Sequence, residues 1–306
     1  MKKSLKYYIV DVFAEAKYTG NQLAVFTNAS GLNQEQMQAI AREINYSETT
    51  FIISKQAMSD DKPLRVYADK YDVRIFTPSQ EIPFAGHPTL GTAYILQQEI
   101  INQSIERVIL NLKVGEITVN IDRSGSEPCL WMQQKIPIFS KIFSVEKIVE
   151  VLQLNIHEID ASYPIQEVST GLPFIIVPVK ALHSLKRIKV NLDKYNELIQ
   201  YTDAKCLLVF CPETYHQENN LNVRVFCPYL GIPEDPATGS ANGCLAAYLV
   251  EHSYFGRSKI NLRVEQGYEI NRPSLLLLKA SKNPSNEAIE VSVGGKVIMV
   301  AKGEFL

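Results

Sequence analysis

Apolar positions in this chain fall mostly into short runs broken by turn formers, with few long helical stripes. Residues 7–13, 23–27 and 50–54 are rich in β-branched or aromatic side chains and are bounded by polar turn residues, which predicts strands. Runs 64–68 and 73–77 flank Lys70-Tyr71-Asp72, read as a turn, and 108–112 and 116–121 flank Val114-Gly115, read as a hairpin. In the second half, 206–211, 221–227, 260–265 and 275–280 read as strands. Segments 289–293 and 297–301, with Gly294-Gly295 between them, predict a closing hairpin. Asn33 is suited to cap a helix over 34–44, where Met37, Ile40, Ala41 and Ile44 share one face. Ser144 is suited to cap 145–152, and 192–201 reads as a surface helix. Two further helices, 88–98 and 237–250, are apolar nearly all round, so each should be buried inside its own sheet.

The strand pattern is said twice. Arg74-Ile75-Phe76-Thr77-Pro78 is echoed by Arg224-Val225-Phe226-Cys227-Pro228, and Ile82-Pro83 by Ile232-Pro233, at an offset of 150 residues. Thr19-Gly20 is echoed by Thr170-Gly171 at 151. Two copies, each about half the chain, imply two similar domains. The fold class expected is α+β, with two similar β-rich domains, each wrapped around a central helix. The boundaries expected are 1–125 and 126–306, with the linker near 122–128 and the last strand returning to the first domain.

Composition narrows the function classes. The chain has 306 residues, 46% apolar and 21% charged, as in an ordinary globular protein. A net charge of −2 and no basic run exclude general attraction to nucleic acid or an anionic membrane. The apolar run after the basic N-terminus stops at Asp11, too short for a signal segment. Five cysteines without C-x-x-C spacing read as buried thiols of a cytoplasmic protein. The histidines at 157, 183, 216 and 252 show no metal-ligand spacing, so no metal is expected.

Three polar segments could carry chemistry. In Ala85-Gly86-His87-Pro88-Thr89, Pro88 lies near the first helical position, so the N–H groups after Gly86 point out of a helix end suited to a carboxylate. His87 could exchange a proton there or merely help cap the turn. In Asp235-Pro236-Ala237-Thr238-Gly239-Ser240, Asp235 reads as a helix N-cap, with its pKa pushed down, and Pro236 as the first helical residue. The segment lacks the lysine and spacing of a P-loop. In Ser47-Glu48-Thr49, Glu48 heads the apolar run Phe51-Ile52-Ile53, where partial desolvation would raise its pKa toward acid–base range. On the residues alone it reads better as a solvent-facing strand-end glutamate. The two copies carry unlike groups at matching places, which suggests one shared, asymmetric site.

Taken together, Asp11-Val12-Phe13, Gly20-Asn21, Ser47-Glu48-Thr49, Gly86-His87-Pro88-Thr89 and Glu234 through Ala241 resemble the signature set of the PhzF (phenazine biosynthesis-like) isomerase family. The resemblance runs from about residue 8 to the C-terminus. It implies a fold like that of diaminopimelate epimerase, with the active site in the cleft between the domains. It implies an isomerase needing no metal and no organic cofactor, and a homodimer. The substrate implied is a small cyclic carboxylic acid such as trans-2,3-dihydro-3-hydroxyanthranilate. By the same resemblance Glu48 would be the acid/base, while His87, Asp235 and Ser240 would line the pocket. Gly86 and Gly239 would hold the carboxylate, and Ser47, Asn21 and Thr238 would contact substrate. Residues 58–63, 154–162 and 281–287 would be additional loops.

Two other readings compete. One is an amino-acid epimerase or racemase using a thiol from each turn, but neither turn contains cysteine. The other is a metabolite-binding protein that retains the site without turnover.

Overall fold

The computed structural model describes residues 4–56, 70–101, 104–125 and 127–306. The chain separates into two compact units, Met1–Gln133 with Gly294–Leu306, and Gln134–Val293. In chain order the elements begin β1 (Leu5–Val12), β2 (Asn21–Phe26), α1 (Gln34–Ile44), β3 (Glu48–Gln56) and β4 (Lys70–Phe76). They continue with β5 (Glu81–Ile82), α2 (Gly86–Ile95), β6 (Arg107–Leu112), β7 (Gly115–Asp122) and β8 (Cys129–Gln133). The second unit supplies β9 (Ile138–Phe143), α3 (Val145–Leu152), β10 (Ile165–Ser169), β11 (Pro173–Pro178), α4 (Leu182–Arg187) and α5 (Leu192–Ile199). Then come β12 (Cys206–Cys211), β13 (Leu221–Cys227), β14 (Ile232–Asp235), α6 (Gly239–Glu251), β15 (Lys259–Gln266), β16 (Ser274–Lys282) and β17 (Ile289–Gly295). The closing strand β18 (Val297–Phe305) pairs with β1 in the first unit.

In the first unit β1 lies between antiparallel β18 and β2, β2 runs parallel to β3, and β3 is antiparallel to β4. Strand β4 is parallel to β6, and β7 and β8 follow antiparallel. The second unit repeats that order: β9–β10–β11 antiparallel, β11 parallel to β12, β12 antiparallel to β13, β13 parallel to β15, and β16 antiparallel. Parallel neighbours need crossover connections. Helix α2 is the crossover from β4 to β6, and α6 that from β13 to β15. Each touches strands of its own unit on several sides. All of α6 from Gly239 to Val250 is buried, and in α2 only Tyr94 is not fully buried. Helices without a polar stripe are stable only in such a place.

Helix α1 forms as its pattern predicts. Asn33 and Gln36 make a reciprocal capping box, and Met37 and Ala41 are buried. They pack against Phe26, Phe51 and Phe76, one from each of β2, β3 and β4. Phe26 and Phe51 stack with centroids 5.2 Å apart, and Phe51 meets Phe76 edge-on at 5.5 Å. This aromatic row clamps the two strands whose first residues are Asn21 and Glu48.

Several local readings change. Lys70-Tyr71-Asp72 is not a turn but the start of β4, with Lys70 opposite Gln56 and Ile109. Gly294-Gly295 is not a hairpin turn: both are strand residues of β17 and neither has the positive φ such a turn requires. Gly294 serves close packing instead, since a Cβ there would stand 2.5 Å from the Trp131 ring. Ser144 precedes α3 without a side-chain cap bond. Polar strands such as β10, with buried Gln166 and Glu167, carry no apolar run to reveal them. Of the three additional loops, 154–162 holds the one-turn helix Ile156–Glu158 and 281–287 joins β16 to β17. Residues 58–63, and the strand expected at 64–68, lie outside the described residues.

The repeat also needs a correction. Ile75 pairs with Ile82, but Val225 pairs with Asp235. Arg74 makes a two-pronged ion pair with Glu81, and Arg224 makes the same pair with Glu234. Past the hairpin the copies therefore correspond at an offset of 153, and the Ile232-Pro233 echo is not a structural equivalence. Asp235 occupies the place of Ile82. Gly86 and Gly239 both open their helices, and His87 and Ser240 both stand second.

Candidate active site

The first unit holds five of the expected residues and brings Asn21, Glu48 and His87 together. Helix α1 ends at Asn45, whose left-handed backbone (φ 56) and N–H bond to the Ala41 carbonyl stop the helix. The chain then enters β3 at Glu48, beside Leu23 of β2. Asn21 begins β2, and His87 is the second residue of α2. The Thr50 and Thr92 hydroxyls, 2.8 Å apart, tie β3 to α2 and hold the helix start near both strand ends.

Asn21 Nδ2 lies 3.2 Å from His87 Nδ1, and His87 Nε2 lies 3.4 Å from Glu48 Oε2. His87 is 4% exposed, while the Glu48 side chain keeps 12% of its surface. Burial drives the His87 pKa from 6.5 down to about 3, and a hydrogen bond with the Gln22 backbone opposes this only in part. Desolvation outweighs the neighbouring carboxyl, so near neutral pH the contact joins a neutral imidazole to Glu48 and is not an ion pair. At 3.4 Å it is longer than a good hydrogen bond. Glu48 and His87 thus meet at the start of α2. Gly86 and His87 occupy the first turn, whose N–H groups have no acceptor within the helix. Pro88 is third in α2, where its missing N–H costs nothing. Ser47 is partly exposed immediately before Glu48.

The second unit assembles the others. Asp235 ends β14 and is not the cap of α6; Thr238 holds the N-cap position. Pro236 accordingly lies in the turn and not in the helix. The Thr238 hydroxyl donates to the Asp235 carboxylate. Asp235 and Ser240 are each 6% exposed. Two residues not singled out from the sequence join them. Asn242 Nδ2 donates to the Thr238 carbonyl at 3.0 Å and to Gln266 Oε1 at 2.9 Å. Gln266, at the end of β15, bonds both sides of the turn. An amide at a strand end carries no sequence signal, because only the parallel β13–β15 pairing brings it to the turn.

Two thiols, one on β12 and one on α6, are sealed. Cys211 and Cys244 are buried, and burial pushes them up to about 12 and about 11 respectively. Neither has the character of an acid/base thiol. Among the described residues no helix is long and apolar enough to cross a membrane.

Comparison with known proteins places these residues in context. Residues 10–303 match the phenazine biosynthesis-like protein family, PhzC-PhzF. An uncharacterized isomerase of Clostridium acetobutylicum is 33% identical over the whole of this chain and 99% of its own length. The trans-2,3-dihydro-3-hydroxyanthranilate isomerase of Pseudomonas chlororaphis is 32% identical, covering 97% of this chain and 98% of that one. The crystal structure of a PhzF-family protein from Bacillus anthracis superposes with a TM-score of 0.87 at 28% identity, covering 99% of each chain.

Proposed function

The chain belongs to the phenazine biosynthesis-like family and is an isomerase, and on that premise we propose that it moves a proton between two carbons of a small cyclic carboxylic acid related to trans-2,3-dihydro-3-hydroxyanthranilate. The observation that carries this reading is the Glu48 carboxyl 3.4 Å from a buried, neutral His87 at the start of α2. Glu48 takes the proton from ring C3. The electron pair released from that C–H bond moves into the conjugated double bonds, and Glu48 returns a proton at C1. Atoms and electrons balance within the substrate, and no redox partner is needed. His87 faces Glu48 and orders its carboxyl, while Asn21 holds the ring from the other nitrogen. The N–H groups at Gly86 receive the substrate carboxylate, helped by the positive end of α2. Asp235, Thr238, Gly239 and Ser240 are assigned to substrate binding, and Ser47 flanks the base.

The test is Glu48→Gln, which keeps size and hydrogen bonding but removes the base. Turnover of trans-2,3-dihydro-3-hydroxyanthranilate should fall by at least ~100-fold, with an unchanged circular dichroism spectrum. In deuterium oxide the wild-type product should carry label at the newly protonated carbon. Asp235→Asn should reduce turnover less than Glu48→Gln does. Near-native turnover by the Glu48 variant removes the base from Glu48, and equal, complete loss in both variants indicates a two-base mechanism. The five free cysteines fit a cytoplasmic enzyme. A homodimer is the assembly we propose, and light scattering on the eluted protein measures it.

A further inference from the structure

We propose that Gln266 is a positioning residue for the Asp235–Ser240 turn, a role that rests on the functional reading above for its catalytic consequence. Gln266 is fully buried at the end of β15. Its amide is spent on the turn. Nε2 donates to the Asp235 carbonyl at 2.8 Å and to Thr238 Oγ1 at 3.1 Å. Oε1 accepts from the Thr238 N–H at 3.1 Å and from Asn242 Nδ2 at 2.9 Å. One side chain therefore fixes the backbone of Asp235, the hydroxyl that bonds the Asp235 carboxylate, and the N–H of the residue that caps α6. The next residue keeps the strand end against the turn. Gly267 has φ +80, and a Cβ there would lie 2.5 Å from the Pro236 carbonyl oxygen.

The duplicated fold separates this role from simple folding. In the first unit Leu112 holds the equivalent place, since the Asp72–Asn111 pair corresponds to the Asn222–Glu265 pair at the 150-residue offset of β4 and β13, and Leu112 follows Asn111 as Gln266 follows Glu265. Leu112 has no side-chain amide to offer a turn, while the Asn111–Asp72 bond at 2.7 Å is matched in the second unit by Asn222–Glu265 at 2.9 Å. The generic link is present in both copies: Thr89 Oγ1 donates to the Ala85 carbonyl at 2.7 Å, and Asn242 Nδ2 to the Thr238 carbonyl at 3.0 Å. The added amide occurs in the copy that carries Asp235 where the other carries Ile82. A fourfold-bonded buried amide is what a carboxylate needs if it must present one geometry.

The neighbouring Glu265 supplies the control. It is equally buried and holds a different loop, accepting from the Tyr215 and His216 N–H groups at 2.7 and 2.9 Å and from Asn219 and Asn222 amides. The experiment compares full-length Gln266→Met and Glu265→Gln with wild type. Three quantities are read: thermal midpoint, kcat and KM on trans-2,3-dihydro-3-hydroxyanthranilate, and amide hydrogen exchange of peptides covering 235–242. For Gln266→Met we expect kcat lower by about 10- to 100-fold, KM changed less than about threefold, and faster exchange confined to 235–242. Glu265→Gln should lower the midpoint, with kcat kept. Retention of kcat by Gln266→Met, or an equal fall in both variants, overturns the role. If the wild-type protein does not turn over this acid, the functional reading fails separately. The exchange data then decide on Gln266 alone, with unchanged exchange at 235–242 overturning the assignment.

Discussion

Acidification should expose the buried, neutral state of His87. The imidazole has a pKa of about 3 in the folded protein against 6.5 when free, because burial penalises its charge. Between these values the unfolded chain binds a proton that the folded chain refuses, so stability rises with pH and is lost as pH falls. The loss starts near the free value and continues down to the folded one. Going from about pH 7 to about pH 4.5 should cost about 2.5 kcal/mol from this one residue, at 1.36 kcal/mol per unit. The assay is urea unfolding of wild type and His87→Gln at both pH values. Other titrating groups, His252 among them, cancel in the difference of differences. Wild type should lose about 2.5 kcal/mol more than the variant. Equal losses would refute the argument, because they would mean that His87 is charged in the fold and paired with Glu48. The contact at 3.4 Å would then be an ion pair, and Glu48 would stand beside a cation instead of a neutral ring.

Two further outcomes are expected. Glu234→Ala should destabilise the protein by about 3 kcal/mol, since it leaves the Arg224 guanidinium buried without its partner; Glu81→Ala should cost less, because Arg74 is more exposed, and chemical denaturation measures both. A thiol reagent should label one cysteine in the native protein, Cys129, and five after unfolding; rapid native labelling of a second thiol would contradict the burial of the other four.

Much of the fold was legible because it rests on local pattern. The α1 cap and face, the strands with β-branched and aromatic runs, and the Val114-Gly115 hairpin each follow from neighbours in sequence. The strands hidden by buried polar residues, such as Gln166 and Glu167, were not legible. Their partners lie far along the chain: Glu167 is satisfied by Ser140 and the Ala204 N–H. The Gly294-Gly295 signal misled for a related reason. A glycine pair marks a turn only when positive φ is needed, whereas Gly294 is selected by the approach of Trp131.

The sequence by itself determined the duplication, the two buried helices and the segments that hold Glu48, His87, Asp235 and Ser240, because these are matters of periodicity and of which residues stand beside one another. Tertiary structure alone decided what those residues touch. The copies correspond at 153 past the hairpin, since strand pairing and the Arg–Glu ion pairs set equivalence, not the Ile-Pro echo. Asp235 is a strand end bonded by Thr238, not a cap, because α6 starts three residues beyond Pro236. His87 is neutral because strands distant in sequence enclose it, and desolvation depends on everything packed around a group. Gln266 reaches the turn only because a parallel pairing, closed by the crossover helix α6, lays the end of β15 against it.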